Sequence, residues 1–429
     1  MEQSIFYNLI AKFFPKLQRL IERINGKREG LTYLHKTMLR REYSPDNKWE
    51  SSTINTTFVA ADYVSEDSSA PIKMRDSIGS ANGKLPKIAI ARPLKESDMT
   101  KIRIMKAQGG TTAQIAEKLA QDPIACATGI DERNEYAFLK GFSEGVVAVK
   151  DDENPNALMR LNFGYLPENS FGATSVGEVD LDDIYSVIEK ANDNGSTITK
   201  IAIAKTTYDA LRKTRKARQL AADYKGQSYD SSTELPVPSP TQFNDAFSDE
   251  TNGVEFNIIN RTVVTEQNGV RTKVKPWNPN RLVFYTSDIV GTLVYGRLAE
   301  QDNPVDGVNY QTIDNYKLIA RFRETNPLRE MTTGQAFAAP IIEDVDQIYV
   351  LDIANGASVD TEAEASDTAD EKITINGVTY TKSAVITALK AVGKSVRVDA
   401  SDEAVIKSYN SLSDAEEAQV LKAIESAKA

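Results

Sequence analysis

The sequence predicts an α+β fold, and three observations carry that reading. Asn280–Ala354 holds four β-rich runs, Leu282–Tyr285, Gly291–Gly296, Tyr316–Arg321 and Ile348–Ile353, punctuated by Gly, Pro, Asn and Asp. Strands joined by turns look like this, and partial alternation of polar and apolar residues gives one buried and one wetted face. Asp131–Gly145 and Asp180–Asn192 instead carry apolar residues at helical spacing. Tyr136, Leu139 and Phe142 share one face of the first, and Ile184, Val187, Ile188 and Ala191 one face of the second. Finally, the 429 residues are 41% hydrophobic and 26% charged, a soluble composition with length for two or three domains.

The same numbers exclude several functions. No run reaches the roughly 18 apolar residues of a membrane span. The N-terminus lacks the basic, apolar and small-residue pattern of a secretory leader. Cys126 is the only cysteine, so an intramolecular disulfide is impossible and a reducing compartment fits. His35 is the only histidine, which rules out a Ser-His-Asp triad elsewhere and any His-rich zinc site. With no partner cysteine or second histidine, His35 reads as structural rather than catalytic. The net charge of −10 opposes nucleic-acid binding by the molecule as a whole. No motif implies a cofactor. Gly109-Gly110-Thr111-Thr112 has the look of a phosphate loop but lacks its Gly-Lys-Ser/Thr ending.

Along the chain, Ile5, Leu9, Phe13, Leu17, Leu20 and Ile24 recur at helical spacing among Lys12, Lys16, Arg19 and Arg23, with Pro15 as a kink. Such a helix either lies on a membrane or docks on protein, and docking is the commoner use. Leu31–Arg41 reads as a second helix, and Ser44–Thr57 as a polar, turn-rich stretch anchored by Trp49. Asn82-Gly83 signals a hairpin, with Ile72–Arg75 and Lys87–Ala91 as its strands. Ser97-Asp98 caps a helix over Met99–Ala107. A separate helix follows over Ala113–Ala120, and Asp122-Pro123 breaks the chain before the helix at Asp131–Gly145. Val146–Val149 and Leu158–Phe163 are strands. Beyond them come the helix at Asp180–Asn192, the strand Thr197–Ala204 and a basic helix over Thr206–Ala222. Gly226–Asp249 reads as a long Pro-rich surface loop. Val254–Glu266 and Val270–Val274 pair across Asn268-Gly269.

The order of features in Asn280–Ala354 resembles the carboxy-terminal core of the lambda-type major capsid proteins of tailed phages, the major capsid protein E family. The features are a turn at Gly291, Tyr295-Gly296, an acidic Gly-containing loop, a basic strand, Asn-Pro before Arg329, then Gln335 and Ala339-Pro340. Leu161-Asn162-Phe163-Gly164 and the arm-like Phe58–Arg75 extend the resemblance over most of Phe58–Ala354. The resemblance implies a shell fold of the Hong Kong ninety-seven type. Its parts are an N-terminal arm (1–71), an extended hairpin loop (72–98), a spine helix with the first part of a peripheral domain (99–179), an inserted axial domain (180–280) and the rest of the peripheral domain (281–354). It implies a homo-oligomer of hexamers and pentamers that assembles in the host bacterial cytoplasm into a virion capsid around double-stranded DNA. Scaffold, portal and decoration proteins are the implied partners, with no membrane and no catalysis. In that scheme Lys73, Arg75, Lys84, Lys87 and Arg92 form a basic ribbon that meets an acidic neighbour, whereas a bland reading makes them a solvated hairpin. Arg212, Lys213, Arg215, Lys216 and Arg218 line the axial helix, and packing against acidic neighbours suits the net charge better than nucleic acid does. An encapsulin-like cellular shell is the alternative, separable by the DNA content of imaged particles. An enzyme is the other, and the single histidine weighs against it.

The resemblance stops near Ala354. Residues 355–371 carry six acids and no base among small residues, which makes them a linker. Residues 372–429 read as a small accessory domain. It has a hairpin at Ile373–Ile375 and Val378–Thr381, then helices at Ser383–Val392, Asp402–Tyr409 and Ser413–Ala427.

Overall fold

The computed structural model describes Ser4 and residues 33–53, 79–109, 111–150, 158–230, 234–267, 270–354, 372–375 and 378–381, with Val385, Ala388, Leu389 and Tyr409. In chain order the first elements are α1 (Leu34–Thr37), β1 (Leu39–Ser44), β2 (Lys48–Thr53), β3 (Gly79–Lys84), β4 (Lys87–Lys95), α2 (Glu96–Ala107) and α3 (Thr112–Glu144). There follow β5 (Val146–Lys150), β6 (Leu158–Asn162), β7 (Ser170–Gly172), α4 (Leu181–Asp193), β8 (Lys200–Ala204), α5 (Lys205–Leu211), α6 (Arg215–Tyr224) and α7 (Pro240–Glu250). Next are β9 (Glu255–Ile259), β10 (Val263–Gln267), β11 (Val270–Val274), β12 (Arg281–Tyr285), β13 (Gly291–Gly296) and α8 (Ala299–Asp302). The last are β14 (Asn309–Ile313), β15 (Lys317–Thr325), β16 (Leu328–Ile342), β17 (Tyr349–Asp352), β18 (Lys372–Ile375) and β19 (Val378–Thr381).

Helix α3 is one element of 33 residues where the sequence predicts two helices parted at Asp122-Pro123. Thr111 starts it with a capping box: its hydroxyl accepts from the Gln114 amide, and the Gln114 side chain accepts from the Thr111 amide. Pro123 has no N–H to give the carbonyl of Leu119 one turn back. The buried Arg321 donates to that carbonyl through Nη1 at 3.0 Å, so the helix continues through the proline. It ends at Gly145, whose φ of 75° favours glycine and whose missing Cβ leaves room for the Tyr165 ring.

Two large sheets and three two-stranded ribbons, β2–β3, β5–β6 and β10–β11, lie among the described residues up to Val359. The first has six strands in the order β1-β13-β16-β15-β14, with β4 also paired to β16. Helix α3 lies along β16 and β4, and Ile130, Phe138, Leu139 and Phe142 join Ala336, Ala338 and Ile341 in one buried core. The second sheet has five strands in the order β7-β17-β12-β8-β9. Its core joins Ile184, Val187, Tyr208, Phe243 and Phe247 from the helices to Ile201, Leu282, Phe284 and Leu351. Strand β12 therefore pairs with β8 and β17, and β17 with β12 and β7, not with the sheet that holds β13 and β16.

Several local expectations change. The helix expected over Leu31–Arg41 does not continue through its described part, residues 33–41: one turn at α1 gives way to β1, because the exposed Arg40, Arg41, Glu42 and Tyr43 form an edge strand parallel to β13. Lys87–Ala91 belongs to β4. Ile88 and Ile90 face the α3 side, and β4 pairs with β16 from Lys87↔Phe337 to Lys95↔Arg329. The ribbon is made instead by β2 and β3, paired from Lys48↔Lys84 to Thr53↔Gly79. The basic helix over Thr206–Ala222 is two helices, since Thr214 caps a new start by accepting from the Ala217 amide. The loop at Gly226–Asp249 contains α7, begun by a Ser239/Gln242 capping box with Pro240 in the first turn. Strands β14 and β16 lie where the sequence shows punctuation. The predicted hairpins β5–β6 and β18–β19 form as expected, whereas Val254–Glu266 is not one strand: β9 pairs in parallel with β8, and only β10 pairs with β11. The helix at Ile5–Ile24, the strand Ile72–Arg75 and the accessory helix Ser413–Ala427 fall outside the described residues.

Candidate assembly surfaces

Three features of the fold offer surface to a neighbour: the β2–β3 ribbon, the edge of the large sheet at β1, and the β10–β11 hairpin. The ribbon's two strands part at Thr53 and Gly79, the point from which residues 54–78 leave and to which they return. At its other end Trp49 is buried against Gly83, where a Cβ would lie 2.7 Å from the indole nitrogen. That end of the ribbon is thus fixed in the core. The hairpin has Val264 and Val270 exposed by 53% and 66%, on opposite faces given the register Val264↔Lys273 and Gln267↔Val270. Beside β1, Tyr43, Tyr295 and Tyr310 help line a cavity of about 490 Å³.

A buried ionic network anchors the residues just before β1. The backbone amides of Leu34 and His35 donate to the two carboxylate oxygens of Glu135, each at 3.0 Å. Nδ1 of His35 lies 2.6 Å from the same carboxylate and Nε2 lies 3.8 Å from Asp131. Lys317 bridges Asp131 at 2.5 Å and Asp314 at 2.7 Å, and Lys36 reaches Asp131 at 2.8 Å. Burial alone would push the Asp131 carboxyl up, but the imidazole of His35 and the ammonium groups of Lys317 and Lys36 outweigh it and hold it well below its ordinary range. The Tyr33 hydroxyl donates to Glu132, which also binds Arg261. Asp131, Glu132 and Glu135 lie on one stretch of α3, so the network ties the residues before β1 to the spine helix and to β15. The lone histidine has a structural post there.

The predicted basic residues scatter. Lys73 and Arg75 lie outside the described residues. Lys84 ends β3 opposite Lys48 and is exposed, and Lys87 is exposed at the start of β4. Arg92 pairs with Asp122 at 3.0 Å and so braces β4 to α3. In the axial set, Arg212 bonds Asp209 and the Pro238 carbonyl, Arg218 bonds the Leu235 carbonyl, and Lys216 bridges Asp180 at 2.7 Å and Asp182 at 2.5 Å. These three strap their own subunit, because the Pro-rich segment after α6 and the start of α4 present oxygens within reach. Lys213 and Arg215 remain exposed on the surface. Sequence reasoning missed Arg261 and Arg321, whose partners are 129 and 202 residues away. Among the described residues no group of carboxylate, Cys and His side chains is arranged to hold a metal ion, and no helix is long and apolar enough to cross a membrane.

The profile of the family described as phage major capsid protein E matches residues 16–313, more than half of the sequence. The chain belongs to that family. The matched stretch begins inside the arm and stops at the end of β14. The resemblance read from Phe58–Ala354 therefore starts later and runs further than the match. A crystal structure from E. coli CFT073, of a prophage protein described as a capsid protein, is similar with a TM-score of 0.50 and 14% identity, covering 80% of this chain and 99% of that one. A phage-related protein of Bordetella bronchiseptica has a TM-score of 0.43 at 11% identity, covering 79% and 97%. The cyanophage A-1(L) capsid has 0.41 at 11%, covering 74% and 91%. No curated protein matches the sequence. The fold is that of the phage capsid shell, a mixture of helices and sheets, and the chain is a shell-forming major capsid protein.

Proposed function

We propose that the chain assembles into hexamers and pentamers of the icosahedral head of a tailed phage or prophage, enclosing double-stranded DNA without sequence-specific contacts. Its work is assembly and not catalysis. The family match over residues 16–313 carries this reading. The β2–β3 ribbon supports it, since its two strands are held at one end by Trp49 and residues 54–78 connect them at the other, which suits a strap to a neighbouring copy. Of the basic residues, Lys84, Lys87 and Lys213 are exposed and are proposed as neighbour contacts, with Lys73, Arg75 and Arg215 proposed alongside them. The proposed division shortens the arm, read as 1–71, to the residues before β1, and takes the second sheet with α4–α7 as the axial domain and the large sheet with α3 as the peripheral one. Scaffold, portal and decoration proteins are the proposed partners, and the host cytoplasm the proposed site of assembly.

Electron microscopy and sedimentation of the overexpressed protein test the proposal. The expected result is closed particles or capsomers. A monomer, or an oligomer smaller than a pentamer, under all salt and scaffold conditions overturns it.

A further inference from the structure

A second cavity, of about 190 Å³, lies where three separate segments of the chain meet. Ala204 ends β8, Ile259 ends β9, and Trp277 follows β11; all three are buried and form an apolar floor. Lys205, Arg261 and Lys275 stand around it, one from each segment. That convergence of cations is unexpected in a chain with 61 acidic and 51 basic side chains.

The cations are not fully compensated. Lys205 pairs with Asp209 at 2.6 Å. Arg261 spends Nη2 on Glu132 and lies 5.0 Å over the Tyr33 ring, while its buried Nε has no hydrogen-bond partner. Lys275 is exposed and makes no ion pair or hydrogen bond with any described residue. Three positive groups thus face two carboxylates, leaving a net positive charge beside an apolar floor.

We propose that this cavity is an intersubunit socket that takes an acidic side chain of a second copy of this chain. The proposal rests on the shell-forming reading above. A nucleic-acid backbone is gripped by an extended track of cations, each neutralising a phosphate. A single pocket with an apolar floor suits a protein segment better: the methylenes of an Asp or Glu cover Ile259 and Trp277 while the carboxylate reaches Lys275 and Arg261. In a shell, the surface that packs against each copy is another copy, and it carries an excess of acid.

Particles formed from mixed unlabelled and isotopically heavy chains are treated with a carbodiimide that joins amines to carboxylates without a spacer, then mapped by mass spectrometry. Lys275 or Lys205 is expected to join an Asp or Glu in light–heavy pairs. Lys275→Ala, with its fold checked by circular dichroism, is expected to raise the protein concentration needed for assembly by about two- to fivefold, the effect of one partly exposed ion pair. Lys275→Arg is expected to assemble like the natural chain. Particles whose other lysines form light–heavy pairs while Lys275 and Lys205 form none overturn the socket and leave the shell reading intact. So does Lys275→Ala assembling at the natural concentration, or Lys275 cross-linking to a carboxylate only after nuclease digestion of the particles. If neither particles nor capsomers form under any salt or scaffold condition, the shell reading fails and the socket falls with it.

Discussion

Arg321 does two jobs at one place. It caps the carbonyl that Pro123 leaves without a donor, and its guanidinium faces Glu330 at 3.7 Å, with both side chains fully buried. Burial lowers the pKa of the guanidinium, and the Glu330 charge opposes that shift. Breaking a buried pair by removing one partner leaves an uncompensated charge and costs about 3–5 kcal/mol, whereas replacing both by apolar residues is often neutral. Arg321→Met is therefore expected to destabilise the subunit by about 3–5 kcal/mol in denaturant melts. The double variant Arg321→Met with Glu330→Met is expected to recover most of that loss. Equal melts for the single and double variants would contradict the pairing. None of this was legible in the sequence. A proline between two helical stretches reads as a break, and only the tertiary donor, 202 residues further along, reverses it. The single histidine, by contrast, could be read as structural, because its chemistry lacked partners anywhere in the sequence.

At the scale of elements, the sequence marks strands well where β-branched and aromatic residues cluster, as in β12, β13 and β17. It fails for β16, whose Gly334, Gln335 and Pro340 read as punctuation although the strand is paired on both sides by β15, β4 and β13. Pairing and burial against α3 override local propensity there. The extended loop is the second case. Asn82-Gly83 looks like a turn, yet both residues lie inside β3, and Gly83 is needed because the Trp49 indole occupies the space of a Cβ. The reading of the loop moves accordingly to the ladder that opens at Thr53 and Gly79. Because those two residues are register partners, a short Gly-Ser link can replace residues 54–78 without straining the ladder. The shortened chain is expected to keep its circular dichroism spectrum and melting temperature and to lose closed particles. Normal shells from it, or an unfolded subunit, would show that this stretch is not an intersubunit strap.

For the whole molecule, the division that matters falls at Val359, where the chain separates into one unit up to that residue and a second from Asp360 to Ala429. The first unit contains both sheets and both large cores. The second has its own hairpin, with Lys372–Ile375 paired to Val378–Thr381, and its own buried apolar residues in Val385, Ala388, Leu389 and Tyr409. Composition made this boundary readable, since residues 355–371 hold six acids, no base and no apolar residue larger than Val359. Such a stretch has little apolar surface to fix it on a core, and ordering it costs on the order of 1 kcal/mol per residue. The family match, ending at Ile313, also leaves the second unit outside the family's shared part. The second unit is accordingly expected to be dispensable for the lattice. A chain ending at Ala354 should assemble into particles of natural diameter at the natural protein concentration. Limited proteolysis of intact particles should cut first between Asn355 and Glu371 and release the second unit while the shell remains. A truncated chain that yields only free subunits under those conditions would place residues 355–429 within the contact network and refute the expectation.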